Sequence, residues 1–312
     1  MTLFLFLLCA VAAILLMGGY YTYRIAFYSP KKGRDKISTF ASHKYDPYRK
    51  EINRLFCQLS DRPYEEVSIV SFDGLTLFGR YYHVKDGAPL DIGFHGYRSS
   101  ALTDFAGGSE LSFSMGHNLL LVDERAHGRS EGRTIAFGIQ ERWDADSWAR
   151  FAVERFGADT EIILYGVSMG AATVLMAAGE DLPENVVGIA ADCGYSSPRA
   201  IIRKVLKDRH LPVALYPLVR LGAILFAHFD PDSVGADTAL ERCRIPVLLV
   251  HGDDDRFVPC DMSREMYRRC GSKDKELLIV PTAGHGASYL VDYDRYRKTV
   301  SDFVRRTLHP EG

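Results

Sequence analysis

Residues 162–172 read Ile162-Ile163-Leu164-Tyr165-Gly166-Val167-Ser168-Met169-Gly170-Ala171-Ala172, an apolar, β-branched run that ends in Gly-x-Ser-x-Gly and continues into small residues. Such a passage reads as a strand, a sharp turn and a helix, the elbow that presents a nucleophilic serine. Gly166 and Gly170 lack a Cβ, so the turn can be tight and the helix can lie close to the strand. Ser168 then stands at the tip with a strained backbone and an accessible hydroxyl. The bare pattern has little weight: at roughly 7% each for Gly and Ser, about one chain in ten of this length matches by chance. Its weight comes from the flanking strand and helix, and from residues elsewhere that would serve the serine.

Outward from this stretch, short apolar runs recur at 90–94, 118–122, 161–165, 186–191, 245–250 and 276–280. Most lack alternation, as expected of strands buried on both faces of a parallel sheet. Helical patterns separate most of them, notably at 138–156, 171–179 and 260–270. Before them, 67–72 and 75–84 alternate and are joined by Asp73-Gly74, a two-residue hairpin signal. An antiparallel start followed by repeated βα units predicts one α/β domain with a mostly parallel, doubly wound sheet. The interval from Ala191 to Ile245 is too long for a simple crossover, and Leu211 to Phe229 is almost entirely apolar. It reads as two or three short helices forming a lid at about 194–240; a core helix pair and a membrane-touching surface are the competing readings.

In open α/β sheets, function collects beyond the carboxyl ends of the strands. The residues there are His95-Gly96-Tyr97, then Asp123-Glu124-Arg125-Ala126-His127-Gly128-Arg129-Ser130, then Ser168, then His251-Gly252-Asp253-Asp254-Asp255, and last Gly284-His285-Gly286. A serine, an acidic cluster and a histidine thus occur in the order Ser…Asp…His. Ser168 needs a base to take its proton. His285 is that candidate, and Asp253, Asp254 and Asp255 compete to orient it. His95, His127 and His251 read as structural turn residues. An oxyanion needs two backbone N–H donors, and the residue after the nucleophile, Met169, supplies one. Asp123, Arg125 and Ser130 read as a brace for the site. Glu141, Asp144 and Asp146 read as the solvated acidic face of a helix that packs through Trp143 and Trp148.

These motifs resemble the α/β-hydrolase superfamily, near its serine aminopeptidase S33 and BEM46-like members. The resemblance runs from about Val67 to the C-terminus. It rests on His95-Gly96-Tyr97, Asp-x-Arg-x-His-Gly-x-Ser at 123–130, Gly-x-Ser-x-Gly, His-Gly-x-x-Asp-x-x-Val-Pro at 251–259, and Gly284-His285. It places the acid before x-x-Val-Pro, which selects Asp255, and it points to the Tyr97 amide as the second oxyanion donor. It implies a serine hydrolase acting on an ester or related acyl bond of a small-molecule substrate, with no metal or organic cofactor. A peptidase of the S33 type and a thioesterase are the nearest alternatives, and a non-catalytic binding protein on the same fold is the remote one.

The N-terminal segment carries a separate message. Met1 to Tyr23 has no charged side chain, and as a helix it would span about 33 Å, enough to cross a bilayer. A cleaved signal peptide would need a basic start and a small-x-small site, and neither is convincing here. The tyrosines Tyr20, Tyr21 and Tyr23 suit an interfacial belt. The expected division is a transmembrane anchor at 1–23, a juxtamembrane connector at 24–66 with a helix near 47–59, and the catalytic domain at 67–312. Arg24, Lys31, Lys32, Arg34 and Lys36 come after the span, so positive-inside reasoning puts the domain in the cytoplasm. The net charge of −2 offers no field to recruit nucleic acid. Six scattered cysteines without a Cys-x-x-Cys read as reduced core residues, in keeping with a reducing compartment. Oligomeric state is not encoded in any feature of the chain.

Overall fold

The computed structural model describes residues 1–30 and 43–309. Eight strands form one sheet: β1 (Glu65–Val70), β2 (Thr76–Tyr82), β3 (Leu90–Phe94), β4 (Asn118–Val122), β5 (Ile162–Val167), β6 (Val186–Asp192), β7 (Val247–Gly252) and β8 (Lys275–Val280). Their spatial order is β1-β2-β4-β3-β5-β6-β7-β8. The β1·β2 and β2·β4 pairs are antiparallel and the rest parallel. Every residue of β3, β4 and β7 is buried, which is why those runs do not alternate.

The helices are α1 (Thr2–Ala26), α2 (Arg49–Ser60), α3 (Ala101–Asp104), α4 (Ala106–Ser114), α5 (Glu141–Phe156), α6 (Met169–Ala177), α7 (Pro198–Asp208), α8 (Tyr216–Gly222), α9 (Ala236–Leu240), α10 (Asp261–Arg269), α11 (Ser288–Val291) and α12 (Tyr293–Leu308). A π-helical turn, Ala223–Ala227, prolongs α8. The largest apolar cluster joins the sheet to α5 and α6 through Trp148, Leu164, Val174 and Leu249. A second lies under α12, around Phe303 and Val304.

Three local expectations need correction. The β1–β2 connection is a five-residue loop, because Val70 pairs with Thr76 and Ser71 accepts from Gly74 through its carbonyl. Within that loop Asp73 is engaged by Arg125. Helix α5 starts at Glu141 rather than 138, since Gly138 has φ +88° and its amide donates to the Glu141 carboxylate. The acidic side of α5 is not solvated: Glu141 and Asp144 are 1% and 3% exposed. Arg125 from the β4 loop enters that side and compensates Asp144, a partner that helical periodicity cannot reveal.

The N-terminal helix extends three residues past Tyr23, and Phe27, Tyr28 and Ser29 are built into the body. Phe27 is fully buried beside Tyr216, Val219 and Phe229. Tyr28 bridges to Thr134, and the Ser29 hydroxyl donates to Ala126 O at 2.6 Å. The expected connector at 24–66 therefore begins with residues of the domain core. Lys31, Lys32, Arg34 and Lys36 of that connector lie outside the described residues.

Candidate active site

Ser168 sits between β5 and α6 with φ 56° and ψ −110°, a conformation that is costly for a residue with a Cβ. Two glycines make it feasible. A Cβ on Gly166 would come within 2.3 Å of Gly170 O, and one on Gly170 within 1.9 Å of Phe94 O. The elbow is thus wedged against the end of β3, and only glycine fits at either position.

The Ser168 hydroxyl lies 2.9 Å from His285 Nε2, and His285 Nδ1 lies 2.7 Å from Asp255 Oδ2. The three groups come from the ends of β5, β7 and β8, so a serine, an imidazole and a carboxylate converge although 117 residues separate the first two. The Asp255 carboxylate is saturated. Its Oδ1 accepts from the Phe257 and Val258 amides at 2.8 and 2.9 Å, and its Oδ2 also meets His251 Nε2 at 3.2 Å. Burial alone would raise this carboxyl, but hydrogen bonds from His251 and His285 outweigh it and hold the group well below the ordinary carboxylate range. It is ionised whenever the protein is folded near neutrality. Asp253 and Asp254 are engaged elsewhere: Asp253 accepts from the Thr282 amide at 2.6 Å, and Asp254 meets Arg256.

The other histidines hold turns. His95 Nε2 accepts from the Glu124 amide and its Nδ1–H donates to Gly96 O. His127 Nε2 accepts from the Arg98 amide, tying the β3 and β4 loops together. His251 takes the Ser263 hydroxyl on Nδ1 and donates to Val258 O. The brace expected of residues 123–130 is present: the Ser130 hydroxyl donates to Asp123 O and accepts from the Phe78 amide.

Met169 opens α6 directly after Ser168 and is fully buried. Tyr97 comes after Gly96, whose absent Cβ would stand 3.3 Å from that of Ser168, so the β3 loop abuts Ser168. The Tyr97 phenol donates to Ala26 O at 2.8 Å, which directs its side chain to the end of α1.

Two neighbours of the triad have no signal in the sequence. Phe257 stacks edge-on against His285 with ring centroids 5.0 Å apart, walling one side of the base. Asp192, at the end of β6, lies buried beside the triad and borders a cavity of about 90 Å³ that Tyr165 and Tyr296 also line. Burial raises Asp192 to about 6, while His251 and His285 pull it down and Asp255 pushes it up. A buried carboxyl at a strand's last position looks like any other acid in the chain. Because its folded value exceeds the ordinary 3.8, its favourable contribution is complete below about pH 4 and is lost as pH rises through about 6. Asp192→Asn is therefore expected to leave stability at pH 4 unchanged and to raise it by roughly 2–3 kcal/mol at pH 8, read by urea titration. An equal effect at both values would refute the assignment.

As for metals, Cys193 Sγ, an Asp255 oxygen and a His285 nitrogen lie within 4.8 Å of one another. An ion there would take His285 and Asp255 out of their hydrogen-bond line. Burial also pushes the Cys193 thiol well up, which disfavours the thiolate that a metal needs. These residues suit proton transfer better than metal ligation.

The profile of the family described as serine aminopeptidase S33 matches residues 235–289, the stretch that carries Asp255 and His285. The uncharacterized protein YqkD of Bacillus subtilis is 25% identical over 296 residues, covering 94% of each chain. The protein bem46 of Schizosaccharomyces pombe is 21% identical over 189 residues, 60% of this chain and 57% of its own. Among solved structures, the Pyrococcus furiosus esterase Pf2001 superposes with a TM-score of 0.66 at 23% identity, over 80% of this chain and 93% of its own. The chain has the α/β-hydrolase fold, and it resembles S33 and bem46-like proteins. The glycine-wedged elbow, the strand order and the converging strand ends are this chain's version of that fold.

Proposed function

We propose that this chain is a membrane-anchored serine hydrolase that cleaves an ester or related acyl bond through an acyl-enzyme. The observation that carries the reading is the unbroken line Asp255–His285–Ser168, with contacts of 2.7 and 2.9 Å. Ser168 Oγ bonds to the acyl carbon while its proton passes to His285 Nε2. The carbonyl electron pair moves to oxygen, where the amides of Tyr97 and Met169 stabilise it. Collapse expels the alcohol, which takes the proton from His285. Water then repeats the cycle, releasing the acid and regenerating Ser168. Asp255 keeps the Nδ1–H tautomer and stabilises the imidazolium. The anchor is α1, 25 residues long and apolar enough to cross a membrane. The basic residues that follow it in the sequence, Arg24, Lys31, Lys32, Arg34 and Lys36, support a cytoplasmic domain by the positive-inside rule.

Both parts are tested with a charged, membrane-impermeant fluorophosphonate. It should label the wild type but not Ser168→Ala, and label cells only after permeabilisation. Labelling of intact cells would overturn the orientation. Failure to label folded protein would favour a binding role on the same fold. In a p-nitrophenyl ester series from C2 to C16, Ser168-dependent turnover should rise toward the long chains. The S33 profile favours peptide substrates as the second reading, and turnover of aminoacyl amides but no esters would establish it.

A further inference from the structure

The far end of α1 is not free. A Cβ on Gly18 would fall 2.9 Å from Leu218, and one on Gly222 would fall 2.3 Å from Gly19 O. The Thr22 hydroxyl bonds to Gly19 O at 2.8 Å and also approaches Leu218 O. Phe226 meets the rings of Tyr20 and Tyr23 at 5.4 and 6.1 Å. Residues 18–23 of α1 and the α8 segment are therefore packed backbone against backbone.

That contact sets a level. Residues 2–17 of α1 are clear of the body, and the last uncharged turns of the same helix, from Gly18 to Tyr23, are docked on the α8 segment. If α1 spans the membrane, the α8 segment is held against its last turns at the bilayer surface, where amphipathic helices lie. The outer side of this segment suits that position: Leu211, Leu215, Ile224 and Leu225 are 44%, 39%, 42% and 42% exposed. Basic residues lie nearby. Arg24 stacks on Tyr28 at the end of α1, while Arg199, Arg203 and Lys207 line the exposed side of α7, which packs on α8, and Arg209 follows it.

The same contact leads to the catalytic groups. Phe27 stacks on Phe137, and Phe137 on Tyr97 at 5.1 Å. The Tyr97 phenol and the Arg98 guanidinium bond to carbonyls of Ala26, Ile25 and Tyr28. The rim of the site is thus attached to the membrane helix without a flexible tether.

We propose that the outer face of the helical segment Val213–Ala227, formed by α8 with its flanking turns and carrying Leu215, Ile224 and Leu225, is immersed in the bilayer's headgroup–acyl boundary, and that the site draws an acyl lipid substrate directly from that leaflet. The immersion stands on the helix geometry, and the choice of substrate rests on the proposed hydrolase activity. The full chain, with its two exposed cysteines Cys9 and Cys57 replaced by serine, would be reconstituted in phosphatidylcholine–phosphatidylglycerol vesicles. An environment-sensitive NBD label at Ile224→Cys should emit in the blue and be quenched by shallow spin-labelled lipid. The same label at Asp86→Cys, in the loop before β3 at the opposite end of the sheet, should report water. Equal, water-like emission at both positions would overturn the immersion. For delivery, Leu225→Glu should lower turnover of a vesicle-embedded diacyl ester about tenfold while leaving soluble p-nitrophenyl acetate within about twofold. An equal loss on both substrates, or on neither, would overturn delivery from the leaflet. The label depth is independent of catalysis, so a chain that is immersed but unlabelled by fluorophosphonate would refute the hydrolase reading alone.

Discussion

Ser168→Ala and His285→Ala are each expected to lower turnover by on the order of 10⁶-fold, and the double variant by no more than either single one. The reason is geometric. With one hydrogen bond of 2.9 Å joining the proposed nucleophile to its proposed base, neither group can act without the other. Once one is gone, removing its partner takes away nothing further. Asp255→Asn should cost less, on the order of 10⁴-fold, because the imidazole survives and only its orientation and charge support are lost. The residual rate should persist in all of these variants, since backbone amides are untouched by side-chain substitution. Initial rates on one p-nitrophenyl ester, with circular dichroism to verify folding, decide the matter. Strictly multiplicative losses in the double variant would show that Ser168 and His285 do not act as one unit.

Arg125→Ala is expected to destabilise the fold by about 3–5 kcal/mol, a large share of the stability of an ordinary domain. Arg125 is 2% exposed and grips Asp144 with two bonds of 2.6 and 2.7 Å, while its other edge reaches Asp73 at 2.9 and 3.2 Å. Burial already raises Asp144 to about 6 despite that guanidinium. Without it, Asp144 is left among Glu124 and Glu141, both of which burial also raises. The penalty is charge on Asp144, so it should shrink at pH 5, where that carboxyl takes a proton. Arg125→Met combined with Asp144→Leu should recover most of the loss, because the pair is removed together and Asp144 is not left as an uncompensated buried charge. A loss of under 1 kcal/mol for Arg125→Ala in urea titrations at pH 8 would show that solvent reaches the cluster.

The elements written most plainly in the chain are those with a single physical cause. Strands β3 and β4 appear at the residues where the apolar runs stand, because burial on both faces demands apolar side chains throughout. The elbow is readable because the two glycines and the serine are close together in sequence and each has a steric reason to be there. The structure brings Ser168, Asp255 and His285 together in the order in which strand ends carry them. Partnerships between distant residues are what the sequence hides. Asp73 looks like a turn former until Arg125 arrives from 52 positions away. Glu141 and Asp144 look like solvent-facing acids until the same arginine and the amides of Ala136 and Gly138 are found. Phe27 and Ser29 come after an apolar helix and read as the beginning of a linker, yet both are completely buried.

That burial bears on how such a protein can change over time. Where a membrane helix is joined to a domain by a slack tether, the two can be exchanged, shortened or discarded independently. Here the residues that end the helix also complete a hydrophobic cluster and bond to the loop beside the nucleophile. The end of the helix and the fold share the same side chains. A lineage that gave up α1 would have to rebuild the wall that Phe27 now fills, so the helix is built into this architecture rather than added to it.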